Sequence, residues 1–433
     1  MTLDLLHDAL IQTDRGWHSL PGVLAAMARG EVAGFPAQRP HQRPAWHMFL
    51  VQLGVMALDR VGLTDLPQAE DGWRAALRGL TADFPQDEPW HLVCPDRNRP
   101  AFLQPPDPGG LKWSDVATPD ALDMLITSRN HDVKREIAQD AAPQDWIFAL
   151  VSLQTMEGLG GRANYGIARM NGGYSSRAMI ALVPAASRSS QIDPSAWWQR
   201  DVQRLLSGRT GIHGSALLWL EPWPEGRSLS FQALDPLFIE VCRRVRLIEA
   251  SGRFIAERGT SMAPRIATEG LKGNTGDPWA PIHRTAGHSF SLGERGWTHE
   301  TLVDLLYSGN WKLPDLAVAD SVEREEPVIL LAEAISRGQG KTGGFHSRLV
   351  PVPKAMVAEM FGERPVAVSD GILKDIAAIE QALRNGLATA AAGGDRDKVG
   401  KPHYARSLPA RETFRLEADR MFFPELWARM TAR

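Results

Sequence analysis

The run 337–344, Arg-Gly-Gln-Gly-Lys-Thr-Gly-Gly, sets a lysine and a hydroxyl among glycines, the residue types that bind phosphate. A nucleotide-hydrolysing P-loop needs G-x-x-x-x-G-K-[ST], with its first glycine five positions before the second, so that main-chain N–H groups wrap the phosphates. Gly340, Lys341 and Thr342 fit the end of that pattern, but Ile335 stands where the first glycine belongs. No carboxylate stands out as a Mg²⁺ partner, so a P-loop-like NTPase or transferase is the weaker alternative. A flexible loop carrying Gln339, Lys341 and Thr342 describes the run better. Glycine admits close backbone approach, and amide and ammonium groups suit groove edges and phosphates. The preceding VILLAEAIS (328–336) is compatible with a strand.

Two further segments carry binding chemistry. Residues 158–173 hold six glycines together with Arg162, Asn164 and Arg169. Such a main chain can enter a narrow minor groove, where readout is coarse; a surface loop without a ligand is the competing reading. Arg129, Asn130, His131, Lys134 and Arg135 form a locally basic run interrupted by Asp132 and Glu136. It reads either as a solvated face or as a contact to a sugar–phosphate backbone. The cluster CRRVR (242–246) reads as the charged face or end of a helix, with nucleic-acid contact as the alternative.

Hydrolytic and metal chemistry finds little support. His91 and Cys94 make a lone H-x-x-C, which reads as core. The twelve histidines include no H-E-x-x-H, and there is no nucleophile elbow G-x-S-x-G. Asp and Glu are plentiful, yet no spacing singles out an acid–base pair. No metal and no cofactor are expected.

The elements that must position these residues alternate in type. AWHMFLVQLGVMALDR (45–60) has apolar residues at helical spacing and reads as a buried helix, followed by a second over 71–83. Prolines and glycines break 89–110 into short extended pieces and turns. TPDALDMLITSRN (118–130) offers a Thr cap and proline at the first helical position, which predicts a helix there. WIFALVSLQTM (146–156) reads as a packed helix and AMIALVP (178–184) as a buried strand. A glycine-rich loop preceding a strand reverses the phosphate-cradling order of strand, loop and helix. Residues 210–300 mix strands with irregular Gly/Pro segments. Past residue 350, AMVAEMFG, SDGILKDIAAIEQALRNGLATAAA and RETFRLEADRMFFPELWARM are helical in period and propensity, with Ile372, Ile376, Ile379 and Leu383 marking one apolar face. The expected fold class is α+β: a large mixed N-terminal domain over 1–352, followed by a small helical bundle over 353–433.

At 433 residues the chain exceeds the size at which one core stops growing. An apolar share of 43% and a charged share of 23% are those of a globular protein. No apolar run reaches the length of a membrane span, and the acid-bearing start, MTLDLLHDALIQTD, is unlike a secretory signal. Only Cys94 and Cys242 are present, so a reducing cytoplasmic location is expected. A net charge of −3 argues against a protein that coats nucleic acid alone, but leaves room for local contacts by a few loops. The 14 tryptophans are expected to anchor core and subunit interfaces rather than stack on bases.

Taken in order along the chain, these pieces resemble the CasA family, the large subunit of the type I-E CRISPR Cascade complex. LLHDALIQTDRGWHSLPGVLAAM followed by PAWHMFLVQL resembles the family's opening, and Ala101-Phe102-Leu103-Gln104 its PFLQ-like element. The polar segment 127–145 and the glycine loop through Gly172 and Gly173 follow in the same order. NTGDPWAPI (274–282) resembles an N-G-x-x-P-x-x-P segment. Gly338 to Arg348 nearly completes G-Q-G-K-T-x-G-[FY]-H-x-R, and DRMFFPELW (419–427) matches D-x-x-FF-x-x-LW.

The resemblance implies a non-catalytic subunit of a crRNA-guided surveillance complex. Such a subunit reads the protospacer-adjacent motif (PAM) of target double-stranded DNA with a glycine loop, a lysine finger and a wedge, while guide pairing reads the sequence. By position the loop is Gly161, Arg162, Ala163, Asn164, Tyr165 and Gly166, the finger is Lys272, and the wedge runs from Gln339 to Gly344, with Gln339, Lys341 and Thr342 all candidates to insert. Residues 127–145 would meet the crRNA 5′ handle and neighbouring subunits, and a trans-acting helicase–nuclease would act downstream. The sequence departs from the family in three ways. It has three apparent bundle helices rather than four, it lacks the cysteine cluster of some members, and Arg-Ala-Asn stands at the tip of the glycine loop. A purely structural, Trp-rich subunit is the further alternative.

Overall fold

A computed structural model describes residues 3–432 except 124, 128–140, 173–174, 186–191, 210, 212–213, 251, 322 and 339–340, and leaves the side chains of 325, 337, 338 and 341 undescribed. The chain divides into two compact units: residues 1–296 with 312–318 and 330–349, and residues 297–311 with 319–329 and 350–433. The α+β class and the C-terminal helical bundle expected from the sequence are both found.

The larger unit is organised around the helix Arg43–Val61, whose residues from Pro44 to Leu58 are all buried. A helix apolar on every side must be enclosed by other elements. It stops at Gly62, whose φ of 71° closes the last turn in the left-handed region that glycine favours. Helix Pro194–Ser207 packs on it, capped by Asp193, whose carboxylate accepts from Ser195 N and Ala196 N. The two are joined by His47, which stacks on Trp197 at 3.4 Å and hydrogen-bonds Asp201 at 2.9 Å. Burial pushes the His47 imidazole below its usual range despite Asp201 beside it. Helix Pro143–Thr155 takes proline in its first turn, and the Asp145 carboxylate accepts from Ala142 N at 2.8 Å.

Strands complete this unit. Arg244–Ala250 and Arg253–Gly259 form an antiparallel hairpin joined at its edge by Ser114–Val116. A second three-stranded sheet has Val328–Gly338 in the middle, flanked by Lys341–Val352 and by Met179–Pro184. The Phe102–Gln104 element lies against the first of these sheets and the helix Pro143–Thr155, whose Gln154 amide donates to Leu103 O at 3.1 Å. The buried Gln104 amide donates to Leu92 O and Phe102 O and accepts from Leu247 N. Tryptophans fill the core as expected, with Trp73, Trp146, Trp198, Trp219 and Trp279 fully buried.

Four expectations are corrected. The helix expected over 71–83 is Glu70–Gly79. The helix expected over 118–130 is only a 3₁₀ turn, Pro119–Ala121, in its described part. There Asp123 takes the main-chain N–H groups of Leu125 and Ile126 at 2.9 and 3.3 Å, an alternative that competes with helix formation. CRRVR does not lie on a helix. Its last three residues begin the strand Arg244–Ala250, and Arg243, Arg244 and Arg246 are all buried. The run 337–344 falls where the strand Val328–Gly338 gives way to its partner Lys341–Val352, so Thr342 sits in a strand instead of a loop.

In the smaller unit two long helices, Glu363–Ala391 and Leu408–Thr431, pack side by side; the short helix Lys401–Ala405 packs on the first of them and Lys354–Val357 on the 3₁₀ turn Glu323–Glu325. Phe422, Phe423, Leu426, Trp427 and Met430 lie on one face of the last helix at spacings of three and four, and all are buried. Asp419 on the same face accepts from His299 N and Nδ1, while the His299 ring stacks on Phe422 at 4.9 Å. Trp427 donates its indole N–H to Pro351 O at 3.0 Å. Of the expected apolar face on the long helix, Ile372 is buried and Ile379 is 49% exposed.

Candidate nucleic-acid interface

The glycine loop is rigid at its root and open at its tip. Residues 167–170 are buried, whereas Gly160, Gly161 and Arg162 are exposed. Gly158 passes so close to Ser175 that an added Cβ would collide with the Ser175 carbonyl oxygen, and a Cβ on Gly166 would lie 2.7 Å from Met170 Sδ. No larger residue fits at 158 without moving main chain, whereas at 166 the Met170 side chain would have to give way. At the tip, Asn164 N donates to Gly161 O at 3.0 Å and Gly160 N to Asn164 O at 2.9 Å. Gly161 and Ala163 both take positive φ, 104° and 62°. A strap holds this turn: Ser261 N donates to Ala163 O at 3.1 Å, and the Tyr165 hydroxyl to Met262 O at 3.0 Å.

Beneath the loop lies a buried layer of charge. Arg177 grips Asp277 through two hydrogen bonds of 2.6 and 2.7 Å and reaches Gln52. Burial works to raise the Asp277 carboxyl, but the adjoining Arg177 guanidinium overrides it and holds the group below its ordinary range. Arg169 sits over the Phe238 ring at 4.0 Å and donates to Phe238 O, with burial lowering it to about 10. Glu240 accepts from Ala168 N at 2.8 Å, and burial pushes its carboxyl up to about 7. Arg243 donates to Gly158 O, and the Gln154 side chain accepts from Cys242 N and Arg243 N. Each of these groups is spent on loop-bearing main chain or on its neighbours, so they position the loop instead of reaching solvent.

The other two segments converge on the same root. Gly273, next to Lys272, approaches until an added Cβ would lie 2.6 Å from Met170 C and 2.8 Å from Asn171 N. Lys272 is exposed, adopts a φ of 47°, and offers its carbonyl to Ser289 N at 3.0 Å. The long hairpin is tied to the segment that follows the loop: Ser176 N donates to Ile335 O at 3.1 Å, and Ile335 N to Ser176 Oγ at 2.8 Å. Arg177 N in turn donates to Met156 O, two residues before Gly158. Gly158 and Gly166 at the root of the loop, Gly273 beside Lys272, and Ile335 of the hairpin thus each meet the same stretch of chain, at Met170 and Ser175, at Met170 and Asn171, and at Ser176.

Other sequence candidates fare differently. Gln339, Arg129, Asn130, His131, Lys134 and Arg135 lie outside the described residues, as does the Lys341 side chain. The described root of the 127–145 segment is clamped by His41, 2.5 Å from Asp123, and by Arg39 on Asp120. Thr342 is buried and donates to Ser336 O at 2.8 Å. A P-loop opens a helix, whereas Lys341 and Thr342 open a strand. Nucleic-acid contact by CRRVR is also ruled out of this conformation, because Arg244 donates to Trp223 O and Arg246 to Cys94 O and Asp96 O.

Among the described residues, Asp4, His7 and Asp87 form a group of metal-ligating type. The Arg78 guanidinium already binds Asp87 through three hydrogen bonds and lies 2.9 Å from His7, supplying the positive charge that a cation would bring. A cavity of about 400 Å³ in the same unit has aromatic walls including Phe35, Trp46, His47 and Trp197, and none of the loop residues line it. Sequence reasoning missed the Ser261–Met262 strap and the anchors Ser176, Glu240 and Arg243. These act mostly through main-chain groups, which leave no pattern in residue types.

The structure is similar to Cse1, a CRISPR-associated protein from Acidimicrobium ferrooxidans, with a TM-score of 0.63 and 16% identity over 98% of this chain and 86% of that one. It is similar as well to CasA of Thermus thermophilus (TM-score 0.58, 15% identity, 98% and 94% of the two chains) and to Cse1 of Thermobifida fusca (0.59, 13%, 96% and 85%). The resemblance read from the sequence is thereby met at the level of the fold across nearly the whole chain. No family model matches the sequence, and no curated protein is similar to it by sequence. Among the described residues, no helix is long and apolar enough to cross a membrane.

Proposed function

We propose that this chain is a non-catalytic large subunit of a crRNA-guided type I-E Cascade complex, which recognises the PAM in target double-stranded DNA and starts strand separation. The glycine-loop tip, Gly161 to Gly166, would lie along the groove, Lys272 would contact its edge or a phosphate, and the hairpin tip bearing Gln339 and Lys341 would enter the duplex as the wedge. The single observation that supports this reading is that the roots of the three segments meet Met170, Asn171, Ser175 and Ser176, within a fold shared with Cse1 and CasA proteins. Minor-groove reading needs main chain that approaches closely and cations nearby. The glycine turn at 160–162 and Lys272 are both exposed, which supports this reading.

The partners in this reading are the other Cascade subunits, the crRNA, the target duplex and a downstream helicase–nuclease. Residues Arg129, Asn130, His131, Lys134 and Arg135 would face the crRNA handle or a neighbouring subunit. The test is charge reversal. Lys272→Glu and Lys341→Glu should each weaken binding of a PAM-bearing duplex by tenfold or more, about the effect of replacing one phosphate or groove contact by a repulsion, while the complex still assembles. Unchanged affinity in both variants would contradict the assignments. ATP hydrolysis lost in Lys341→Ala would instead favour the NTPase alternative.

A further inference from the structure

We propose that the cavity lined by the helices Arg43–Val61 and Pro194–Ser207 binds a single unpaired nucleobase that presents ring carbonyls, with its phosphate at Arg43. The inference goes beyond the reading of the glycine loop and the hairpin and does not depend on it. At about 400 Å³ the cavity falls at the small end of the range for small-molecule sites, roughly 300–1,000 Å³. Its lining includes Phe35, Trp46, His47 and Trp197, and aromatic side chains are the surface on which an unpaired base stacks. The walls are tied together. Ser195 Oγ donates to Val32 O at 2.7 Å and accepts from Val32 N at 3.0 Å. Asp14 Oδ1 accepts from Ala33 N and Gly34 N at 2.8 and 3.1 Å, and His47 stacks on Trp197. Such a site is largely formed before a ligand arrives.

The buried polar atoms of the lining that lack a partner are all donors. Trp46 and Trp197 are 2% and 1% exposed, and among the described residues neither indole N–H has an acceptor. The enclosed amide nitrogen of Gln38 has none either. A buried donor left unpaired is costly, so three of them on one cavity call for a ligand rich in acceptors. His47 adds no charge at neutral pH, because burial holds its imidazole below its usual range, and its Nε2 is bonded to Asp201. Arg43 is then the one charged group of the lining. Its Nε and Nη2 go to Glu333, and Ser347 Oγ accepts from Nη2 at 3.3 Å, which leaves Nη1 without a partner among the described residues. A guanidinium N–H of this kind suits a phosphate oxygen. An aliphatic side chain from a partner would leave every one of these donors unpaired. A base with ring carbonyls, carried on a phosphate, meets them.

The test uses the purified full chain, with uridine 5′-monophosphate and thymidine 5′-monophosphate as probes in saturation-transfer NMR. Each base has two ring carbonyls; one probe stands for an RNA source and the other for a DNA source. Saturation should reach the base protons of at least one of them, and a preference between the two names the strand. Gly34 lines the cavity, and an added Cβ there meets nothing within 4 Å, so Gly34→Leu should fill the space without disturbing the fold and abolish the transfer. Should that variant lose its helical circular dichroism, Ala33→Phe narrows the same rim. Gln38→Leu removes one donor and should weaken binding about three- to tenfold, as for one lost hydrogen bond. Indole, flat and without an acceptor, should bind more weakly than either nucleotide. No transfer to either nucleotide, or transfer undiminished by the filled rim, would overturn the proposal. So would indole binding as tightly as the nucleotides with no effect of Gln38→Leu, which would make the cavity an apolar seat for a protein side chain. Lys272 does not line the cavity, so Lys272→Glu tests the duplex reading separately and neither result bears on the other.

Discussion

Glu240 shows how far the loop depends on single buried groups. Its carboxyl sits near 7 because burial disfavours the ionised form, although it accepts the Ala168 N–H. In the unfolded chain the same group titrates near 4.5. The folded state therefore binds its proton more tightly, and the stability associated with this group falls as pH rises from about 4.5 to 7 and is level above that. Glu240→Gln keeps an acceptor for Ala168 and removes the ionisation. Denaturant unfolding of the two proteins should show a difference that grows across this window and favours the variant by up to about 3 kcal/mol at pH 8. A constant difference from pH 5 to 8 would contradict it. Glycine and lysine announce themselves by residue type, so Gly161, Lys272 and Lys341 stand out in the sequence as candidates. Arg243, Arg244 and Arg246 were misread because charge suggests surface, and the carbonyls that absorb them belong to Gly158, Trp223 and Cys94, which only folding brings near.

At the scale of elements, periodicity was legible wherever one face had to be buried. The helices at 43–61 and 143–155 and the strand at 179–184 follow from their apolar patterns. So does the last helix, where Asp419, Phe422, Phe423, Leu426 and Trp427 share one face and explain the D-x-x-FF-x-x-LW spacing. Phe422 stacks on His299 and meets Phe423 at 5.3 Å. Phe422→Ala should destabilise the smaller unit by about 3–5 kcal/mol, the usual cost of deleting a buried ring, measured as an earlier loss of helical circular dichroism on heating. A change below about 1 kcal/mol would show that this face does not hold the unit together. What periodicity cannot show is competition from side chains. In the described part of 118–130 Asp123 offers the main chain an alternative to the expected helix, and the glycine-rich run at 337–344 hides the start of a strand whose partner is supplied by residues 328–338.

For the whole molecule, the proposed reading reconciles a net charge of −3 with DNA binding by concentrating contacts. Guanidinium groups such as Arg169 and Arg177 are spent inside, where they fix loop roots, and the exposed cations Arg162 and Lys272 are left beside open main chain. Fold class was readable from the order of elements, and the family resemblance from motif order. The contacts that bring together segments more than sixty residues apart were not readable, because they are made by Gly158 and Gly273 through close main-chain approach and by Ser176 through its hydroxyl and N–H.

Site-specific photocrosslinking tests this convergence most directly. With p-benzoylphenylalanine in place of Asn164 and, separately, of Lys341, the guide-loaded complex is irradiated on a PAM-bearing target duplex and the crosslinked bases are mapped. Both probes should mark positions within half a helical turn of each other, about five base pairs, at the border between PAM and protospacer. Crosslinks at separate sites on the duplex, or none from either probe, would contradict the account.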